Sequence, residues 1–443
     1  MPRFVLLLSF LLISLTDYAQ LPNEERLTAG PMQGHTTATT TSLWIMVANT
    51  DSVRVTLKDT ISGAIFSMTQ STQNIIGYKK DIPITFNFTG LKPNTSYIVY
   101  FKIDDKELRR KHYIRTLLDG KNNDFSFMIG SCALWISRGL RWLHPGIEEW
   151  IYPQMVKEEG AFMLWLGDYL YNFPKDYKSP EGMYRRYAYT RKYHKLHMDF
   201  VTSRPQYSIW DDHEFGWNNS DKDFPFKKQS LDLHKKFWAN PGYGEPDNPG
   251  CYFNFSYQDA GFFMTDCRYY RTVPNIKGGE MLGKKQMQWL KAKLKESKAT
   301  FKFIGVGSQV LNEYCTDESW KIFPEERTEL LDFIEKEKIT GVIFLSGDRH
   351  HGELIKKVRE NAYPLYDFTS SAITSFRHKV KRTPEENNPD RVPNTLIEHQ
   401  NYGRIGLSGP EGKRDCTFYS YNCWGKLVWE VKISENDLKF FEK

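Results

Sequence analysis

The stretch "SIWDDHEFGWNN", residues 208–219, sets three carboxylates and an imidazole in four consecutive positions: Asp211, Asp212, His213 and Glu214. Adjacent carboxylates repel one another and are costly to bury unless something cationic offsets them. A basic partner, a solvated surface turn or a metal would each do so. Three further positions share the setting. Cys132 in "MIGSCALW", Asp168 in "LWLGDYLY" and Asp348 in "FLSGDRHHGE" each follow an apolar, strand-like run, as Asp212 does. Tyr171 lies three residues beyond Asp168, and His350 two beyond Asp348. A polar residue after a strand is ordinary, because loops begin there. The residue types are not ordinary: a thiol, three carboxylates and nearby imidazoles are the donors that metals take.

Positioning such residues requires a scaffold. From about residue 125 short apolar runs alternate with helical periods. The runs are "FSFMIGS", "AFMLWLGD", "QYSIWDD", "AGFFMTD", "FKFIGVGS" and "GVIFLSGD"; the helical stretches include "EEWIYPQMVKEE", "KKQMQWLKAKLKES" and "PEERTELLDFIEKEK". Strand and helix in repetition argue for a layered α/β fold, in which ligands gather at the carboxyl ends of the strands. Residues 27–118 read differently. "TSLWIMVA", "SVRVTLKD" and "SYIVYFKI" cluster β-formers between polar turns, and "GLKPNTSYIVYFKI" matches the corner of a fibronectin type III-like sandwich, with Tyr97 bonding back to the preceding loop. The polar stretch 117–124 is a linker, and the second domain spans 124–440.

With 443 residues, 29 Phe, 25 Tyr and 12 Trp, the chain has ample material for cores. Its net charge of +6, from 60 basic and 54 acidic residues, is too mild to argue for a nucleic-acid partner. Arg3 precedes the run Phe4–Leu15, "FVLLLSFLLISL", and a small residue follows at Ala19. This reads as a secretory signal peptide over 1–19, too short for a spanning helix, so the protein is expected to be exported, periplasmic or secreted. Export allows Cys251, Cys267, Cys315, Cys416 and Cys423 to pair, with Cys416 and Cys423 close enough for a local bridge. The basic, aromatic stretch 183–200 reads as a helix covering the site, with its charges steering anionic substrates.

In order along the chain, "GSC", "LWLGDYLY", "SIWDDHE", "MTDCRYYR" and "FLSGDRHHGE" resemble the motifs of the PhoD-like (alkaline phosphatase D) family of metallophosphoesterases. The resemblance covers about residues 125–405, and the preceding sandwich looks like that family's N-terminal domain. It implies a four-layer α/β/β/α catalytic domain related to purple acid phosphatases, holding one iron(III) and one or two calcium ions. Residue by residue, the iron thiolate falls on Cys132, the bridging aspartate on Asp168, the phenolate on Tyr171 and the imidazole on His350. The calcium carboxylates fall on Asp212 and Asp348. Cys267 stands where the family commonly shows threonine. His351 is an extra histidine, read here as a solvated neighbour and left out of the ligand set.

Phosphate esters are anionic, so their hydrolysis calls for positive charge on the phosphoryl oxygens and a strong nucleophile, both of which paired metals supply. Asp168 suits a shared ligand. His213 is a candidate for orienting substrate or protonating the leaving group, and equally for supporting Asp212. Asn218 or Asn219 is placed to donate to a phosphoryl oxygen, or else simply forms the turn. Arg349 and Arg268 are candidate phosphate clamps. Asp211 and Glu214 are expected to hold the turn. The expected activity is release of phosphate from external monoesters. A phosphodiesterase acting on lipid, wall-polymer or nucleotide diesters and a non-catalytic exported metal-binding module are the alternatives.

Overall fold

In "SVRVTLKD" and "SYIVYFKI" every second side chain is buried, the pattern of strands with one face against a core. A computed structural model describes residues 26–73, 81–135, 149–315 and 318–440; the expected leader at 1–19 lies outside the described residues. Residues 27–115 form two antiparallel sheets. One joins Leu27–Thr36, Thr41–Val47 and Ile82–Phe88; the other joins Ile65–Ser71, Ser52–Asp59, Ser96–Ile103, Lys106–Glu107 and His112–Arg115. Leu43, Ile45, Phe86, Val55, Val99 and Phe101 share the core between them. The Tyr97 hydroxyl is buried and accepts from the Lys92 N–H at 2.8 Å, the corner contact that the sequence predicts.

Two six-stranded mixed sheets form the centre of the rest. The first runs Gln206–Ile209, Met163–Leu166, Phe125–Gly130, Asn401–Ser408, Asp415–Asn422 and Leu427–Ser434; its first three strands are parallel and the others antiparallel. The second runs Phe253–Tyr257, Ala260–Met264, Phe301–Val306, Val342–Ser346, Leu365–Thr369 and Glu353–Lys357, with four parallel strands between two antiparallel edges. The sheets meet through aromatic side chains. Phe127 lies with its ring 5.0 Å from both Phe262 and Phe303 and 5.5 Å from Phe162. The predicted helices form at Ile151–Lys157, Lys284–Glu296 and Pro324–Lys336, and bury Met155, Leu290 and Leu330 in the same core.

The basic stretch 183–200 is helical, as the sequence reading expects, but part of its charge is turned inward. It forms two helices, Pro180–Tyr193 and Lys195–Val201, and its arginines at the buried face point inward. Arg186 donates to the carbonyls of Tyr171 (2.8 Å) and Trp135 (2.7 Å), and fully buried Arg191 donates to the Tyr169 hydroxyl and the Phe237 carbonyl. These two charges brace the backbone around the site instead of facing solvent to steer substrates. The same segment also contacts the N-terminal sheets, where Arg191 stacks over Trp44, whose indole N–H donates to Lys236 O at 2.8 Å.

Cys132, Cys251, Cys267 and Cys416 carry buried thiols, so the local Cys416–Cys423 bridge that the spacing allows is not formed. Among the described residues no helix is long and apolar enough to cross a membrane. Removing the ring at the centre of the aromatic layer leaves a void that fixed neighbours cannot fill. Phe127→Ala is therefore expected to lower the unfolding free energy by about 3–5 kcal/mol in a denaturant titration.

Candidate metal centre

The parallel strands of both sheets end at one edge, and there the backbone turns sharply. Cys132, Asp168, Asp348 and His350 all adopt positive φ, between +53° and +67°. Such a conformation costs energy for non-glycine residues and is retained where surrounding structure enforces it, most often at functional sites. Two glycines let the turns close up. A Cβ on Gly167 would lie 2.7 Å from the Asp211 Cβ, and one on Gly347 would lie 2.3 Å from the Leu166 carbonyl oxygen. Backbone hydrogen bonds then staple the turns together: Cys132 N to Gly167 O (3.3 Å), Ala133 N to Asp168 O (2.7 Å) and Asn172 N to His213 O (3.1 Å).

This brings the sequence candidates together in three overlapping sets. The donor atoms within each lie no more than 4.8 Å apart: Cys132, Asp168 and His350; Asp168, Asp212 and His213; Asp211, Asp212 and Asp348. Asp168 belongs to the first two, the placement of a ligand shared between neighbouring cations. Tyr171 completes the first set, its hydroxyl 3.2 Å from His350 Nε2 and its ring 4.1 Å from that of His213. Asn219 supports Asp212 through its backbone N–H, 2.6 Å from Oδ2, whereas Asn218 is exposed. Arg349 pairs with Glu385 at 2.7 Å and with Glu318 at 3.4 Å.

The electrostatics are those of a site short of positive charge. Burial, then Asp212, Asp211, Glu214 and Asp348, push the Asp168 carboxyl well up; burial and Glu318 do the same to Asp348. Burial followed by Asp168 and Asp348 raises the Cys132 thiol. Burial, with His213 and Arg349 beside it, pulls the His350 imidazole down to about 4, leaving a neutral ring with a lone pair. Burial also works against the charge of Asp212, yet His213, Arg268 and the Asn219 N–H hold it well below the usual carboxylate range. Asp211 Oδ2, Asp212 Oδ1 and Asp348 Oδ2 are buried without a hydrogen-bond partner. Orphaned acceptors on converging carboxylates beside a thiol, a phenol and a neutral imidazole fit bound cations.

Three supporting residues hold this cluster. Glu214 accepts from the N–H groups of Asp168 (2.8 Å), Tyr169 and Asp211 (3.1 Å), the turn-holding role read from the sequence; burial raises its carboxyl to about 8. Arg268 is fully buried and bonds Asp211 through Nε, with Nη2 3.9 Å from Asp212 Oδ1, so it is an internal counter-ion and not an exposed phosphate clamp. Ser371 went unread in the sequence. Its hydroxyl donates to Cys132 Sγ (3.2 Å) and accepts from His350 N (2.9 Å). A small hydroxyl in "TSSAIT" carries no signal for that role. His351 corrects the sequence reading: far from solvated, it is fully buried.

The fold is metallophosphatase-like. Over 92% of this chain and 75% of the other it superposes on a purple acid phosphatase from yellow lupin (Lupinus luteus) at a TM-score of 0.66 and 10% identity. A solved structure of PhoD covers 93% of both chains at a TM-score of 0.76 and 17% identity. A profile described as PhoD-like phosphatase matches residues 127–415, and the chain belongs to that family. It is also 27% identical over 314 residues to alkaline phosphatase D of Bacillus subtilis (strain 168), an alignment that takes in 59% of this chain and 52% of that protein.

Two substitutions separate holding the metal from holding the fold. Ser371→Ala removes a hydroxyl that bonds both Cys132 and His350 and is expected to weaken metal affinity by about 10–100-fold, read by competition with a chromogenic chelator. Arg268→Leu strands Asp211 and should cost about 3–5 kcal/mol of stability in chelator-treated protein, read by denaturant unfolding.

Proposed function

We propose that this protein is an exported, metal-dependent phosphoric ester hydrolase that releases phosphate from monoesters. The observation that carries the reading is Asp168, buried and common to two adjoining donor sets at the strand ends. The thiol, phenol and imidazole of Cys132, Tyr171 and His350 suit iron(III), and the carboxylates Asp212 and Asp348 suit calcium. Bound there, such cations draw charge from the phosphoryl oxygens and make water a stronger nucleophile.

The chain's own residues supply the rest. Asp168 is held for its shared role from both ends: its N–H donates to Glu214, and its Oδ1 accepts from His213 N at 3.3 Å. His213 is half-buried against Tyr171, which places an imidazole at the solvent side of the cluster, and we assign it delivery of a proton to the leaving oxygen. Asn218, exposed beside the Asp212-binding Asn219, is assigned the phosphoryl contact in preference to Arg349, whose charge Glu318 and Glu385 already match. The family relationship and the superposition on PhoD support a four-layer catalytic domain over 124–440 and a fibronectin type III-like sandwich over 27–118. The leader-like 1–19 supports export.

The test is hydrolysis of an aryl phosphomonoester against its matching diester, by protein loaded with iron and calcium at mildly alkaline pH. The monoester is expected to turn over faster, and Asp168→Asn to lose both bound metal and turnover. A faster diester moves the substrate class to lipid, wall-polymer or nucleotide diesters. No turnover of either ester with metals bound would leave a binding module.

A further inference from the structure

Beside the strand-end cluster lies a second group of metal donors that the phosphoryl chemistry does not use. His351, His378 and Glu385 bring two imidazole nitrogens and a carboxylate oxygen within 4.8 Å of one another. His351 is fully buried, and its Nδ1 lies 2.9 Å from the carbonyl oxygen of Arg349. A carbonyl only accepts, so Nδ1 is the donor there, and Nε2 is the ring nitrogen left to face the cluster. That arrangement, a backbone acceptor fixing the tautomer of a buried histidine, is the support a metal-binding imidazole requires.

What Nε2 faces is equally telling. It sits 3.2 Å from Glu353 Oε1, itself an acceptor. His378 Nε2 likewise sits 3.4 Å from Glu385 Oε2. Glu353 Oε2 is occupied by Arg391 Nε at 2.6 Å, and Glu385 Oε1 by Arg349 at 2.7 Å and by Asn312 at 3.1 Å. Glu353 Oε1 also accepts from Gln309 Nε2 at 2.7 Å, so both its oxygens are anchored, whereas Glu385 keeps Oε2 turned to an imidazole.

From this geometry we infer that His351, His378 and Glu385 form a further metal site, separate from the centre at Asp168, which takes a divalent transition cation of the zinc class. Two imidazoles and a carboxylate suit zinc, and leave a fourth position for water or Glu353. The site has a mechanical consequence. His378 and Glu385 lie on the irregular connection between Leu365–Thr369 and Asn401–Ser408, whereas His351 follows directly on the strand-end turn. An ion joining them staples that connection to the turn. The His378 N–H already donates to the His350 carbonyl at 2.9 Å, so the staple also steadies the imidazole assigned to the principal centre.

The experiment uses the full chain, stripped with chelator and reloaded with Zn²⁺ alone. Zinc per chain is counted after gel filtration in the wild type, His378→Ala and His351→Gln. The wild type is expected to keep one equivalent more than either variant, and its zinc-dependent rise in melting temperature to shrink in both. In Asp168→Asn the zinc that remains should show nitrogen and oxygen neighbours and no sulfur by X-ray absorption, setting it apart from a site that includes Cys132. Equal zinc and equal melting shifts in the wild type and both variants would overturn the site, leaving His351 as the imidazolium partner of Glu353. So would absorption data on Asp168→Asn that show sulfur. Neither result bears on phosphate release, which the ester assay reads independently.

Discussion

The rest of the structure depends on the mutual repulsion of acidic groups crowded into one dry place. Asp168, Asp211, Asp212, Glu214 and Asp348 are all buried at the same sheet edge, with the Cys132 thiol among them. Two like charges 4 Å apart repel by about 4 kcal/mol at an effective dielectric of 20, so several ionised carboxylates there cannot stand without counter-charge. The chain itself supplies part of it. Arg268 pairs Asp211, and backbone N–H groups serve Glu214 and Asp212. Oxygens on Asp211, Asp212 and Asp348 remain without partners, and those are what cations would satisfy. A site built this way is incomplete as protein alone.

Holding such a cluster requires rigid surroundings, which explains where the molecule spends its aromatic residues and buried arginines. Phe127, Phe162, Phe262 and Phe303 pack the two sheets so that their parallel strands end together. Arg186 and Arg191 hold the loop that carries Tyr169 and Tyr171 from behind. Arg191 also stacks on Trp44, so the N-terminal sheets buttress the same loop. The left-handed backbone at Cys132, Asp168, Asp348 and His350 is sustained by this packing and by the glycines that let the turns approach.

Much of this was legible in the sequence, because strand-end residues announce themselves. Cys132, Asp168, Asp212 and Asp348 each follow an apolar run, and the helices at 284–296 and 324–336 fall where periodicity and Pro324 put them. What escaped is what depends on long-range contact. Ser371 reaches Cys132 across 239 residues, and nothing local marks a serine for that task. Arg268 read as an anion clamp because its partner Asp211 is distant in the chain. His351 read as solvated because its neighbours in sequence are polar, whereas its surroundings in space are Glu353 and His378. The strands at 401–434 were missed because their polar outward residues blur the apolar pattern that marks the central ones.

The most direct test of the central claim is anomalous diffraction from crystals of metal-loaded protein, collected at the absorption edge of the transition metal and at a wavelength where calcium scatters. The account predicts one peak among Cys132, Asp168, Tyr171 and His350, and a second on the other side of Asp168, toward Asp212 and Asp348. A single peak with Asp168 unligated, or no peak at this sheet edge, would contradict it.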